Sequence, residues 1–250
     1  MDAVTVRFYA ELNDFRPRGR RQAPLTVPLA RRTSVKDLIE SLGVPHTEVD
    51  LILANGVSVD FRYLVQPGDH ISVYPVFESI DITPLVRVRP RPLREPRFVL
   101  DTHLGKLAAY LRLLGFDTLY RNDADDTTLA RISAEQRRIL LTRDRGLLKR
   151  AVVTHGYYIR ADAPRAQALE VVRRFDLAPL IEPFGRCLRC NSRLRPVPTA
   201  AVLDRLPPRT QRDFHEFWVC EGCDRVFWQG SHYAHLRQLV AQIQALRGKE

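Results

Sequence analysis

Cysteine, tryptophan and methionine are scarce in this chain: four, two and one among 250 residues. No apolar run approaches the ~20 residues that a membrane-spanning helix needs. The opening MDAVTVRFYAELNDF alternates polar and apolar residues and lacks the continuous apolar stretch of a signal peptide. A cytoplasmic location is therefore expected. In that compartment four cysteines read as metal ligands rather than disulfides. Acidic residues are in the minority, 29 against 39 Lys and Arg, giving a formal net charge of +10 and a pI near 9.9. That balance points to a polyanionic partner such as nucleic acid, with a merely soluble basic surface as the plainer explanation. Hydrophobic residues make up 45% of the chain, enough for one large or two to three small domains.

Three segments follow one another. In the first, residues 1–80, VTVRFYAEL alternates like a half-buried strand and PLTVPLA is a candidate hairpin partner. SVKDLIESLG reads as a helix capped by Ser34, striped by Leu38, Ile39 and Leu42, and stopped at Gly43. LILANGVSV carries an Asn55-Gly56 hairpin signal, and QPGDHISVYPVF offers a turn and a last strand. The order predicts a β-grasp domain. Through VRFYAEL and QPGDHISVYPVF the segment resembles the ubiquitin-like sulfur-carrier family. Carriers end in a Gly-Gly tail; here the chain runs on as ESIDITPLV without a glycine pair. Docking to a protein partner, or RNA contact, is the expected use instead. Residues 81–97, with ITPLVRVRPRPLREPR, read as an extended linker, and its five arginines fit phosphate tracking and a solvated spacer equally well.

Residues 98–182 alternate short apolar runs with amphipathic stretches: FVL, LGKLAAYLRLLG, DTLY, DDTTLARISAEQ, RILLT, RGLLKRAV, YYIR and PRAQALEVVRRF. Strand–helix alternation predicts a parallel sheet covered by helices. An aspartate stands at or just past the end of each proposed strand: Asp101, Asp123, Asp144 and Asp162, with Asp125 and Asp126 in the loop of Asp123. In open parallel sheets the carboxyl ends share one edge, where ligands bind, so the aspartates are expected in one cleft. Helix capping explains Asp126 and Asp162 as readily. Crowded carboxylates raise one another's pKa, and a divalent cation with a taste for hard oxygen, Mg2+ or Mn2+, removes that penalty.

CLRC at 187–190 and CEGC at 220–223 repeat C-x2-C, the spacing of a closed tetrahedral zinc site. Cys187, Cys190, Cys220 and Cys223 are therefore expected to bind structural zinc in a ribbon spanning 183–240, with a short helix inserted between the two knuckles. His232 and His235 are candidate extra ligands. Trp218, Phe227, Trp228 and Tyr233 suit stacking on unpaired RNA bases or packing of a small core.

The ordered series FVLDTHLGKLAAYLRLLGFDTLYRNDADD, RILLTRDRGLLKRA and the cysteine region resembles the Mut-seven C-terminal RNase domain family over about residues 97–235. The resemblance implies an α/β fold: a PIN-like parallel sheet flanked by helices, preceded by the β-grasp domain and followed by the zinc ribbon. It implies a metal-dependent ribonuclease with Asp101, Asp125, Asp126 and Asp144 as catalytic acids. Asp101 and Asp144 rank first as Mg2+ or Mn2+ ligands, and Asp123 and Asp162 rank lower. Lys106, Arg143 and Arg145 are candidates for the substrate phosphates, with Arg112 and Arg121 beside them, against the commoner case that a single basic residue is an ordinary surface charge; His103 suits polarising a phosphate or shuttling a proton, against the commoner case of a partly exposed helix-start histidine. Two rivals stand beside this: a noncatalytic RNA-binding or adaptor protein, and a phosphoryl-transfer protein using an aspartate nucleophile.

Overall fold

The structure, a computed structural model, describes residues 2–75, 88 and 95–245, without the side chains of His232 and His235. Most of the Pro/Arg-rich linker therefore lies outside the described residues, as do those two histidines as candidate ligands. The elements in chain order are β1 (Ala3–Phe8), β2 (Leu25–Pro28), α1 (Val35–Ser41), β3 (Val49–Ala54), β4 (Val57–Ser58), β5 (His70–Pro75), β6 (Phe98–Leu100), α2 (Gly105–Leu113), β7 (Thr118–Tyr120), α3 (Asp126–Glu135), β8 (Ile139–Thr142), α4 (Arg145–Leu148), β9 (Gly156–Tyr158), α5 (Pro164–Arg174), β10 (Leu194–Val197), α6 (Pro208–Asp213), β11 (Phe217–Cys220), β12 (Val226–Trp228) and α7 (Ser231–Gln244). Contacts divide the chain into two compact units, residues 1–95 with 125–158, and residues 96–124 with 159–250.

The first unit holds the β-grasp sheet, ordered β2-β1-β5-β3-β4, with β1 and β5 parallel and the other pairs antiparallel. Alternation turns Val4, Val6 and Phe8 inward, and α1 covers them with Val35, Leu38 and Ile39. Ser34 caps α1 as expected, its hydroxyl accepting the Asp37 N–H at 3.1 Å. Asn55 and Gly56 both take positive φ, +51° and +83°, as a two-residue type I′ hairpin requires. One expectation needs correction. The strand in VTVRFYAEL stops at Phe8, and Ala10–Phe15 coil into 3-10 turns. The cause is Asn13, whose amide donates to the carbonyls of Phe8 and Ala10 and takes them out of the ladder, while Leu12 and Phe15 drop into the core.

Residues 125–158 complete this unit. The fully buried β8 pairs in parallel with β9, and α3 supplies Leu129 and Ala130 to the same interior. Among the described residues, polar contacts join this segment to the β-grasp domain. Lys149 Nζ donates to the Glu40 carbonyl, and the His46 ring meets the Val153 carbonyl at 2.9 Å. Glu48 Oε1 accepts the Tyr158 N–H at 2.7 Å. Arg145 donates to the Phe15 carbonyl and lies over the Phe15 and Tyr158 rings, 5.2 and 5.6 Å from their centroids. Val88, the one described residue between 76 and 94, donates its N–H to the Asp50 carbonyl and packs on the β-grasp core.

In the second unit, β6 and β7 form a parallel pair, with Phe98 wedged edge-on between Phe116 and Phe175. Helices α2 and α5 pack together through leucines, valines and alanines such as Leu107, Leu111, Ala168 and Val171. The antiparallel sheet β10-β11-β12 makes the ribbon, and α6 is the helix expected between its knuckles. The chain leaves α2 through Gly115 at φ +100°, where a Cβ would stand 2.2 Å from the Glu182 carbonyl oxygen. The expected α/β class, with parallel strands flanked by helices between a β-grasp fold and a four-cysteine ribbon, is what the chain adopts.

A pH prediction comes from the QPGD turn. Asp69 is 5% exposed. Burial opposes its charge, but the Gln66 N–H, the Asn55 amide and the Tyr63 hydroxyl, all within 2.9 Å, outweigh it and hold its pKa below the ordinary value. A lowered folded-state pKa means stability that is full above the unfolded value, roughly 4, and lost as pH falls through the folded one. Thermal melts of wild type should therefore lose stability on that acid limb, and Asp69→Asn should flatten the limb while lowering the plateau at neutral pH.

Candidate metal centres and strand-end carboxylates

The two knuckles are built alike. In each, the residue after the second cysteine takes positive φ, Asn191 at +74° and Asp224 at +57°, and its N–H returns to the carbonyl of the first cysteine at 2.9 and 3.0 Å. Asn and Asp are the non-glycine residues that best tolerate this conformation. Gly222 lets the knuckles meet, since a Cβ there would stand 2.1 Å from Ser192 Oγ. Among the described residues, the four cysteines are the group of three or more Cys, His, Asp or Glu whose ligand atoms all lie within 4.8 Å of one another. The Cys187–Cys223 and Cys190–Cys220 sulfurs are 3.7 and 3.2 Å apart, far beyond a disulfide bond and close to the ~3.8 Å edge of a tetrahedron with ~2.3 Å zinc–sulfur bonds. The residues thus fit Zn2+, and four sulfurs leave no open position for chemistry.

The thiols are unequal. Burial pushes Cys187 up to about 12 and also raises Cys220. At Cys190 burial is outweighed by the Ser192 N–H and the Cys220 thiol, which bring it down to about 6. Cys190 is thus readier to ionise than Cys187 or Cys220, and zinc binding must release the protons of those two.

Arg112 was a candidate for phosphate, and the structure corrects this. It is 4% exposed. Its guanidinium donates to the carbonyls of Thr118, Leu188 and Arg189, each at 2.9 Å, tying α2 and the start of β7 to the first knuckle. Burial pulls its pKa below the ordinary value, and the neighbouring Cys187 and Cys190 pull it back up. Asn191 completes the joint, accepting the Thr118 N–H and donating to Asp117. The signal was present in the sequence: Arg112 continues the Leu104, Ala108 row of α2, a buried stripe.

Each strand-end aspartate is held locally. Asp101 directly follows β6, is 8% exposed, and accepts the Thr102 N–H at 2.6 Å on Oδ1. Asp144, exposed past the end of β8, accepts the Gly146 and Leu147 N–H groups on Oδ1 as the cap of α4. Asp125 caps α3 through the Thr128 N–H at 2.6 Å, and Asp126 lies in its first turn, 4.0 Å from Arg150. Asp123 pairs with Arg121 through two 3.1 Å bonds. Asp162 precedes α5 and presents its carbonyl to the Gln167 amide; the cap position belongs to Ala163. Crowding was expected to raise these pKa values. Instead Asp123 is lowered by Arg121 and Asp125 by the Thr128 N–H and hydroxyl, because each carboxylate has its own donors. Lys106, Arg143 and His103 are exposed, whereas Arg145 is engaged by the Phe15 carbonyl and two aromatic rings.

The chain joins a β-grasp fold to parallel strands with terminal carboxylates and a four-cysteine ribbon, an α/β protein of three parts. A family model described as Mut7-C RNAse domain matches residues 96–240, and one described as Mut7-C ubiquitin matches residues 1–81. The chain belongs to the Mut7-C family and carries its RNase domain behind its ubiquitin-like domain. No curated protein and no solved structure gives a significant match.

Two outcomes are expected. Elemental analysis should find one zinc per chain, lost in Cys187→Ser together with several degrees of melting temperature; a zinc-free wild type of equal stability rejects the assignment. Arg112→Lys, which keeps the charge but not the three-pronged reach, should cost about 3 kcal/mol in denaturant unfolding.

Proposed function

We propose that the protein is a metal-dependent ribonuclease that hydrolyses RNA phosphodiester bonds. The family assignment carries this reading: the RNase domain spans residues 96–240, within which Asp101 and Asp144 follow buried parallel strands. Asp101, Asp125, Asp126 and Asp144 are its acids, and Asp101 and Asp144 are the ligands of Mg2+ or Mn2+. Carboxylate oxygens are hard donors suited to these ions. When bound, such an ion supplies an activated water and stabilises charge on the phosphorane oxygens. The side chains do the rest. Asp125, ionised through its Thr128 bonds, holds negative charge in its loop, and exposed Lys106 and Arg143 meet the strand's phosphates. Arg145 acts as an anchor for α4. The surplus of positive charge favours RNA as the partner, in the cytoplasm, with the ubiquitin-like domain as a second docking surface.

A noncatalytic RNA-binding adaptor is the competing reading, favoured by the helix caps that account locally for Asp101, Asp125 and Asp144. One substitution separates the two, because Asn caps a helix as well as Asp does and removes only the charge. With Mn2+ and single-stranded RNA, Asp101→Asn and Asp144→Asn should each lower cleavage by about 100-fold or more while RNA affinity stays within about twofold. Cleavage by both variants at the wild-type rate would assign the activity to a contaminant and leave the adaptor.

A further inference from the structure

The ribbon sheet has two faces, and its core uses one. Register places Val197 opposite Phe217 and Val219 opposite Val226. On that face Phe217 and Val219 pack with Val202 and Leu206 of the inserted segment. The alternating residues point the other way. Trp218 stands opposite Pro196 on one side and Phe227 on the other, so the Trp218 and Phe227 side chains lie next to each other on the second face. Neither belongs to the ribbon core. They open instead onto a cavity of about 650 Å3, closed by Phe184, Tyr233, Leu113 and Leu188.

The walls are aromatic and aliphatic, and Arg237 lies over the ring of the lining residue Tyr233, 6.0 Å from its centroid. Four residues lining this cavity have an exposed arginine as chain neighbour: Leu188 with Arg189, Leu194 with Arg193, Val226 with Arg225 and Leu236 with Arg237. Arg186, in the wall itself, is held by the Gly115 and Asn191 carbonyls and shapes the pocket. A flat apolar ligand attached to a polyanion fits this pattern: a π-face for Trp218 and Phe227, and phosphates for the arginines outside. An aliphatic chain or an apolar peptide would use the walls and leave these arginines without a partner.

We propose that this cavity receives an unpaired nucleobase of single-stranded RNA, stacked on Trp218 and Phe227, with the flanking phosphates on the neighbouring arginines. The proposal rests on the reading that RNA is the ligand of this chain. It gives the ribbon a base-recognition site in addition to its zinc.

The test compares full-length protein on two labelled strands, a short oligoadenylate and the same backbone with abasic sites, in buffer free of Mg2+ and Mn2+ so that no cleavage intervenes. Wild type should bind the base-bearing strand about 10-fold more tightly or better, the value of one stacked base. Trp218→Leu and Phe227→Leu keep apolar volume and remove the π-face. Both should retain zinc and abasic-strand affinity while losing most of that preference. Equal wild-type affinity for the two strands, no binding to either, or a preference that survives in both zinc-loaded variants overturns the pocket. The nuclease reading fails separately, through unchanged cleavage in the Asp101 and Asp144 variants.

Discussion

Helix α4 has four residues, too few to persist on its own, and the position of Asp144 depends on what holds it. Asp144 caps the first turn, while Arg145 and Lys149 reach from either end of the helix to carbonyls of the β-grasp domain. Glu48 and His46 answer from the other side, at Tyr158 and Val153. These contacts pair charged or polar side chains with backbone groups of the facing segment. The β-grasp domain is followed by ESIDITPLV rather than by a Gly-Gly tail. Its surface near Phe15, Glu40 and Glu48 is committed to residues 125–158 of the same chain.

The ribbon is joined by the same device. Short strand β7 presents the N–H and C=O of Thr118 to Asn191 and Arg112, and Arg112 extends to two knuckle carbonyls. The four clustered cysteines fit a zinc ion, which when bound would do for the knuckles what the guanidinium does for the joint, holding loop backbone that has little apolar surface. The ribbon core is built on Phe217, with Trp218 and Phe227 on the other sheet face.

Patterns with one local cause were legible in the sequence. Alternation around Val4 and Val6, the Ser34 cap, the Asn55-Gly56 turn and the spaced C-x2-C pairs each encode their conformation within a few residues. Features set by distant partners were not. The Leu104, Ala108 row shows that Arg112 turns inward, but its acceptors at Leu188 and Arg189, more than seventy residues on, cannot be read from that row. Arg145 sits beside Asp144 in sequence, which suggested phosphate binding, yet Phe15 decides its place. Asn13 ended β1 early by a bond that alternation cannot foresee. The aspartates fall between these cases. Their positions after strands could be read, but the donors that lower the pKa of Asp123 and Asp125 belong to turns whose geometry the sequence does not specify.

Capping and metal ligation are often treated as competing explanations of an aspartate, and the geometry here argues against that opposition. At Asp144 both backbone bonds fall on Oδ1, and at Asp101 the Thr102 N–H does the same. A carboxylate offers about four lone-pair sites, so the N–H donors on one oxygen of Asp144 do not exhaust it. Those donors fix the rotamer, which a cation ligand needs. A strand-end aspartate whose side chain is already immobilised loses less entropy on taking up an ion than a mobile surface carboxylate would. The caps are better understood as the means by which short loops aim charge than as evidence that the charge has no other use.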